Sequence, residues 1–381
     1  MSTKTRLPFA RDKLLFTPGP LTTSAAVKEA MLHDAGSWHG DFNRLVHNIR
    51  ERLLAVAGVS RAQGWETVLL QGSGSFGVEA VFQTCVPPNG KVVALVNGAY
   101  GERIVEMLGH ARIEHVALRT AEDQTPDMAA LEACLEKNPA ITHVAAVHCE
   151  TTTGILNPIE AIGGVVKRLG KIYVVDAMSS FGGMPIDFNA CGIDFLISSA
   201  NKCLEGVPGF SFIICRRAVL LACEGWARSL SLDLLRQLQG FEKNGQFRYT
   251  PPTHTLLAFH RALDELDSEG GVAARRARYR QNHQTLLRSM KSLGLKPYLD
   301  PAVQSHFITA FHYPPSASFN FQAFYNALSD RGFIIYPGKL TQVNTFRIGN
   351  IGRLFPQDME QLVSAIQAVL IEMGIVPGAR P

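Results

Sequence analysis

From position 67 to position 215 the chain repeats one texture: a short apolar run, a turn, a stretch of helical character, and another apolar run. The apolar runs fall at 67–70, 91–96, 113–118, 142–148, 172–176, 194–197 and 210–215, with helices expected at 76–84, 102–108, 128–137 and 159–169. Several runs are apolar at every position rather than at alternate ones. Such strands belong in a sheet covered on both faces. The alternation of strand and helix makes that sheet mostly parallel. The expected architecture is α/β, with a large, mostly parallel sheet of the seven-stranded type.

After Tyr249-Thr250-Pro251-Pro252-Thr253 the texture changes. A long helical stretch over 256–293, interrupted near Gly270-Gly271, leads into a smaller α+β unit. Strands are expected there at 307–312, 333–336 and 345–348, with helices near 321–329 and 356–373. A chain of 381 residues is long enough for two domains. The expected division is a large domain at 21–265 and a small one at 266–381. The segment 1–20, with the rigid turn Thr17-Pro18-Gly19-Pro20, is expected to pack on the small domain.

Charge and cysteine content narrow the function classes. A net charge of +4, scattered along the chain, gives no nucleic-acid footprint. The seven cysteines include no CxxC pair, so no metal site is expected. Several lie in apolar runs, as free thiols do in a reducing compartment. The N-terminus lacks the apolar core of a secretory signal, and no run approaches the ~20 residues that span a bilayer. A cytoplasmic protein without a membrane partner is expected.

The candidate chemistry lies at strand ends. Gln71-Gly72-Ser73-Gly74-Ser75-Phe76-Gly77 follows the first strand and opens a helix. It matches the G-x-G-x-x-G spacing of a dinucleotide site, but the next strand ends Leu95-Val96-Asn97-Gly98, without the carboxylate a ribose needs. Two readings stay open: a tight turn that needs glycine, or a cup in which amides and the Ser73 or Ser75 hydroxyl face one phosphate. Tyr100, in Asn97-Gly98-Ala99-Tyr100-Gly101, is either a surface tyrosine or a face for an aromatic ring. In His148-Cys149-Glu150-Thr151-Thr152-Thr153-Gly154 the threonine hydroxyls, Thr151 and Thr153 among them, could bond a phenolic oxygen. Alternatively the loop is polar, with Glu150 and the threonines capping nearby backbone. His148 fits a semi-buried histidine without a catalytic part.

Asp176 ends the apolar run Ile172-Tyr173-Val174-Val175. A carboxylate there needs a partner, and a protonated pyridine nitrogen is a suitable one. Lys202 lies in Ser199-Ala200-Asn201-Lys202-Cys203, after another apolar run. Burial lowers a lysine pKa and makes the amine nucleophilic, fit to hold an aldehyde as a Schiff base and then to move protons. A lone lysine of this kind is more often a surface residue. Here it follows a phosphate cup, an aromatic and a strand-end acid, in the order that pyridoxal 5'-phosphate chemistry requires. Arg347, in the apolar run Thr345-Phe346-Arg347-Ile348, wants an anion: a substrate carboxylate or phosphonate, or an internal acid.

Read together, these segments resemble the fold-type I, class V aminotransferases over nearly the whole chain. The resemblance rests on positions 15–23, 69–75, 97–101, 148–154, 175–183, 198–203, 228–234 and 346–352. The Ala200-Asn201-Lys202-Cys203 and Arg347-Ile348-Gly349-Asn350-Ile351-Gly352 strings point to its phosphonate-using branch. The resemblance implies pyridoxal phosphate as cofactor and Lys202 as its Schiff-base lysine. It implies Asp176 at the pyridine nitrogen, Tyr100 over the ring, and Ser73, Gly74 and Ser75 at the phosphate. It further implies Thr250 at the phosphate of a neighbouring subunit, hence a homodimer with active sites at the interface, and Arg347 on the substrate anion. The implied reaction moves the amine of 2-aminoethylphosphonate to pyruvate, in two halves. Other class V transaminases, using alanine, serine or glyoxylate, are the nearest alternative. The segment Gly36-Ser37-Trp38-His39-Gly40-Asp41-Phe42 is less acidic than the resemblance leads one to expect, and it is expected to border the substrate entrance.

Overall fold

A computed structural model describes residues 12–340 and 343–376. Seven strands form the main sheet: β1 (Trp65–Gln71), β2 (Lys91–Val96), β3 (Glu114–Arg119), β4 (Ile141–Val147), β5 (Ile172–Asp176), β6 (Phe195–Ser199) and β7 (Phe210–Arg216). Their spatial order is β1-β7-β6-β5-β4-β2-β3. Strands β3, β2, β4, β5 and β6 are parallel, whereas β7 runs antiparallel to both β6 and β1. Two reversals restore the direction, so β1 points the same way as the parallel set. The carboxyl ends of β1, β2, β4, β5 and β6 therefore open along one edge of the sheet, where ligands gather in α/β folds.

Helices cover both faces, which is why the central strands are apolar throughout. Helix α1 (Gly40–Val56) buries Phe42, Val46, Ile49, Leu53 and Leu54, an apolar stripe at helical spacing. Helices α2 (Gly74–Cys85), α3 (Ala99–His110), α4 (Met128–Lys137) and α5 (Ile159–Arg168) follow β1, β2, β3 and β4 in turn. The Asp127 side chain caps α4 by accepting from the amides of Ala129 and Ala130.

The long helical stretch is two helices, α6 (Thr253–Glu269) and α7 (Gly271–Ser292). Gly270, at φ +106, breaks them; a side chain there would be strained. Helix α6 packs into the main core through Leu256, Phe259, Leu263 and Leu266. Leu286 and Met290 of α7 belong to a second core. That core also holds the sheet β8 (Ile308–His312), β9 (Tyr336–Pro337) and β10 (Thr345–Gly349), with β10 central, and the helices α8 (Phe321–Asp330) and α9 (Pro356–Glu372).

One expected strand divides. The run 333–336 serves two sheets, because another segment competes for its backbone. Phe333–Ile334 pairs in parallel with Leu14–Leu15, while Tyr336 pairs with Arg347 in β10. Ile335, fully buried, sits at the switch. The N-terminal segment is held further by Phe16, wholly inside the second core, and by Gly349 N donating to Phe16 O at 2.9 Å. Residues 1–11 of the segment expected to pack there lie outside the described residues.

A buried charge cluster joins the two cores. Arg275 Nε donates to Glu269 at 2.6 Å, and Arg278 Nε donates to the other oxygen of Glu269 at 2.8 Å. Arg278 Nη2 reaches Glu205 at 2.7 Å, and Tyr279 Oη donates to the same Glu205 oxygen at 2.6 Å. Arg275 also holds Cys203 O at 2.7 Å, and Arg278 holds Gly352 O at 2.6 Å. Two carboxylates thus face two guanidiniums, with backbone carbonyls on either side taking further donors, while Arg275 Nη2 stays buried without a partner. Removing one partner of such a cluster strands a buried charge, which costs about 3 kcal/mol or more. Arg278→Ala is therefore expected to lower the urea midpoint by that equivalent with the slope unchanged. A midpoint equal to that of the parent would show that the cluster is not a tie between the cores.

Candidate active site

The loop after β6 carries Lys202. Ala200 N donates to Phe210 O, Gly206 N to Ala200 O, and Glu205 N to Lys202 O, so the loop folds back tightly on itself. Glu205 has φ +61, a left-handed conformation that costs a residue with a Cβ on the order of 1 kcal/mol. The bonds from Arg278 and Tyr279 hold it there. Lys202 Nζ donates to Pro18 O at 2.7 Å. The turn on which Pro18 sits leaves no slack: a Cβ on Gly19 would lie 2.7 Å from Lys202 Nζ.

Lys202 lines a cavity of about 240 Å³ at the carboxyl edge of the sheet, together with Ser73, Gly74 and Ser75. Tyr100, Thr151 and Asp176 line the same cavity, so seven of the expected site residues converge. Each comes from a different turn. The Ser73–Ser75 group opens α2 after β1, Tyr100 lies in the first turn of α3 after β2, and Asp176 ends β5.

Burial and nearby charge set the ionisation of these groups. Burial lowers the Lys202 ammonium pKa, against the opposing pull of Tyr100 and Asp176. Burial raises the Asp176 carboxyl to about 6, against the Met178 amide that donates to it at 2.9 Å. Burial alone would raise the Tyr100 phenol. A hydrogen bond with Thr151 and the charges of Lys202, Lys339 and Arg347 outweigh it and bring the phenol below its usual value.

Glu150 explains how Tyr100 is aimed. Its buried carboxylate accepts from the amides of Tyr100 and Gly101, each at 3.2 Å, and from the Thr152 hydroxyl at 2.7 Å. That same hydroxyl accepts from Ala99 N at 2.8 Å. The 148–154 loop is thus a side-chain cap for α3, one of the two readings left open for it. Gly98 is required by contact, since a Cβ there would sit 2.5 Å from Glu150. Thr153 does not line the cavity; its hydroxyl accepts from Ile155 N within the hairpin. His148 is a buried neutral imidazole, its pKa pushed down to about 4 by burial.

Arg347 reaches the site from β10. It is buried, its Nε donates to Pro337 O at 2.9 Å, and its Nη1 donates to Thr151 O at 2.7 Å. Burial lowers its pKa, against the opposing pull of the Tyr100 side chain. Among the described residues no carboxylate forms an ion pair with it, and the buried Glu150 acts on it only as a nearby charge. Thr250 lies outside the cavity of its own chain, where its carbonyl accepts from Gln71. No residue of the 36–42 segment lines that cavity; Trp38 is 80% exposed and helix α1 starts at Gly40.

Sequence reading missed three neighbours. Met178 packs so closely that a Cβ on Gly74 would lie 2.4 Å from its sulfur. Arg103, one helical turn beyond Tyr100, stacks over that ring at 4.8 Å; the i, i+3 spacing could have revealed it. Lys339 lies over the same ring at 5.0 Å, and no local signal marks it.

These residues fit pyridoxal phosphate. Ser73 caps α2 without a side-chain capping bond, so hydroxyl and helix dipole remain free for an anion. Gly74 has no room for a side chain, which keeps the backbone of this turn close to whatever the cavity holds. A buried carboxyl near pH 6 lacks a cation, and an amine with a depressed pKa faces the same space.

Comparison with known proteins agrees. The aminotransferase class V family pattern matches residues 22–346. The chain is 52% identical to a Salmonella typhimurium 2-aminoethylphosphonate–pyruvate transaminase over 95% of its own length and 98% of that protein's. It is 50% identical to the protein of the same name from Syntrophobacter fumaroxidans, over 95% and 97% of the two chains. Among solved structures it is similar to the ureidoglycine–glyoxylate aminotransferase of Bacillus subtilis, with a TM-score of 0.88, 22% identity and 97% and 95% of the two chains covered.

The Asp176 shift has a sign that can be tested. An aspartate raised from 3.8 to about 6 on folding contributes stability that is full below pH 4 and lost as the pH rises through 6. Cofactor-free protein should therefore lose up to roughly 3 kcal/mol across that interval. Asp176→Asn should flatten the profile in chemical unfolding, and an equally steep profile in that variant would assign the effect elsewhere.

Proposed function

We propose, from the premise that this chain belongs to the class V aminotransferases, that it moves the amino group of 2-aminoethylphosphonate to pyruvate, giving phosphonoacetaldehyde and L-alanine. The observation that carries the reading is half identity, sustained over nearly the whole length, to proteins of that activity.

We read the cavity as the pyridoxal phosphate site. Ser73, Gly74 and Ser75 would hold the phosphate, Tyr100 the ring face, Thr151 the phenolic oxygen, Asp176 the ring nitrogen and Lys202 the aldehyde. Bound there, the cofactor supplies an aldehyde for the substrate amine and a ring that accepts the electrons of the broken Cα–H bond. The protein's part is proton traffic and positioning. Lys202, its ammonium pKa lowered by burial, would take the proton from the substrate carbon beside nitrogen and return it on the far side of that nitrogen. Asp176 keeps a cationic N–H opposite it, which restores its own charged form. Arg347, with no carboxylate ion-paired to it among the described residues, holds the phosphonate in one half-reaction and the carboxylate in the other.

The division at 21–265 and 266–381 fits the two apolar cores. We further infer a homodimer. Leu230, Phe76 and Tyr249 are large apolar side chains left 67%, 52% and 45% exposed, and Tyr249 adjoins Thr250. A second copy placed on them would bring Thr250 to the neighbour's phosphate and cover the 36–42 segment. The seven cysteines are all unpaired, which suits a reducing cytoplasm. No helix among the described residues is long and apolar enough to cross a membrane. A place in phosphonate catabolism follows from the substrate.

Initial rates with both substrates varied should give parallel reciprocal lines, the pattern of a two-stage exchange. Lys202→Ala should abolish turnover, and appreciable turnover in that variant would remove the scheme. Arg347→Ala should weaken 2-aminoethylphosphonate and pyruvate alike, by roughly 10- to 100-fold in kcat/KM. A loss confined to pyruvate would show that the anions do not share a site.

A further inference from the structure

The donors of Arg347 are partly spent. A guanidinium has five N–H groups. One goes to Pro337 O and one to Thr151 O. What remains can still make the paired bonds of a carboxylate. A phosphonate has a third oxygen and, like a phosphate monoester near neutral pH, more than one negative charge. Arg347 alone leaves that oxygen and charge unmatched.

A second cation stands in the right place. Lys339 Nζ is 5.0 Å from the centre of the Tyr100 ring, the ring whose side chain Arg347 engages. The backbone that carries it is fixed. Tyr336 pairs with Arg347, Gly338 N donates to Thr345 O at 3.0 Å, and a Cβ on Gly338 would lie 2.3 Å from that oxygen. The hairpin thus brings Lys339, two residues beyond β9, and Arg347, within β10, to the same tyrosine. Arg103, another cation on that ring, lies 3.3 Å from the Ser75 hydroxyl at the start of α2. Among the described residues no carboxylate is paired with Lys339, so its charge remains available.

We propose that Lys339 determines specificity for the phosphonate: with Arg347 it takes the more highly charged, three-oxygen anion, whereas Arg347 alone serves the carboxylate. The assignment rests on 2-aminoethylphosphonate being a substrate. It explains how one arginine site accepts two anions of unlike charge, the lysine engaging in only one half-reaction. An exposed lysine can withdraw into water when pyruvate or alanine is bound, which a second buried arginine could not do.

The test uses the holoenzyme and the variants Lys339→Ala, Lys339→Gln and Lys339→Arg. Two amine donors are compared, 2-aminoethylphosphonate and L-alanine, by single-turnover bleaching of the visible absorbance. Two amine-free analogues, ethylphosphonate and propionate, are compared as inhibitors. Lys339→Ala and Lys339→Gln should lower kcat/KM for the phosphonate by about tenfold or more and raise the inhibition constant of ethylphosphonate by a similar factor. L-alanine and propionate should change by less than about threefold. Lys339→Arg should retain most of the phosphonate activity. Equal losses on both anions, or none on the phosphonate, would overturn the role of Lys339 and leave the reaction intact. A parent enzyme that bleaches with L-alanine but not with 2-aminoethylphosphonate would overturn the substrate reading, and the lysine's role with it.

Discussion

The distance between Lys202 and Arg347 is set by charges that touch neither side chain. Lys202 belongs to a loop of the main sheet, and Arg347 to a strand of the second core. Helix α7 bridges them. Arg275 and Tyr279 grip the Lys202 loop at Cys203 and Glu205, while Arg278 and Tyr279 reach Gly352, just beyond Arg347's strand. Apolar packing could hold the same elements together at less desolvation cost. It would not fix their relative placement, because apolar contact is indifferent to small slides. Directional bonds among Glu205, Glu269, Arg275 and Arg278 remove that freedom.

Inside the cavity one physical cause acts on both key groups. Burial disfavours the charged form of Lys202 and of Asp176 together. The amine is thereby ready to take a proton, and the carboxyl is left in want of a cation. Tyr100 lines the same cavity, its phenol eased by Thr151 and by three cations. Its position depends on Glu150, which caps the helix start from a hairpin 50 residues further along the chain.

Much of this was legible in the sequence because it depends on local pattern. Strands such as 91–96 and 172–176 agree with the structure to the residue, since fully apolar runs ended by turns have few other readings. Lys202, Asp176, Tyr100 and the Ser73–Ser75 turn were found because each ends a strand on one edge of a parallel sheet. What sequence did not show depends on partners distant in the chain. The run 333–336 divides because residues 14–15 claim half of it. Lys339 meets Tyr100 across the two cores. Pro18 offers its carbonyl to Lys202 from 184 positions away. Thr153 looked equivalent to Thr151 within a run of three threonines, but the hairpin points it into its own backbone.

The antiparallel strand β7 carries a consequence for how the chain is made. Among the described residues strand β1 is an edge strand with β7 as its single sheet neighbour, although 138 residues separate Gln71 from Phe210, which pair directly. During synthesis, Trp65–Gln71 emerges with its backbone unpaired and six of its seven side chains destined for the interior. At roughly 5–20 residues per second, its neighbour follows only after about 7–30 seconds. Throughout that wait the nascent polypeptide presents an apolar ribbon open to foreign strands. A pause-free message between these two codon blocks would shorten the exposure, and a holding factor at the ribosome would shield the ribbon while it lasts.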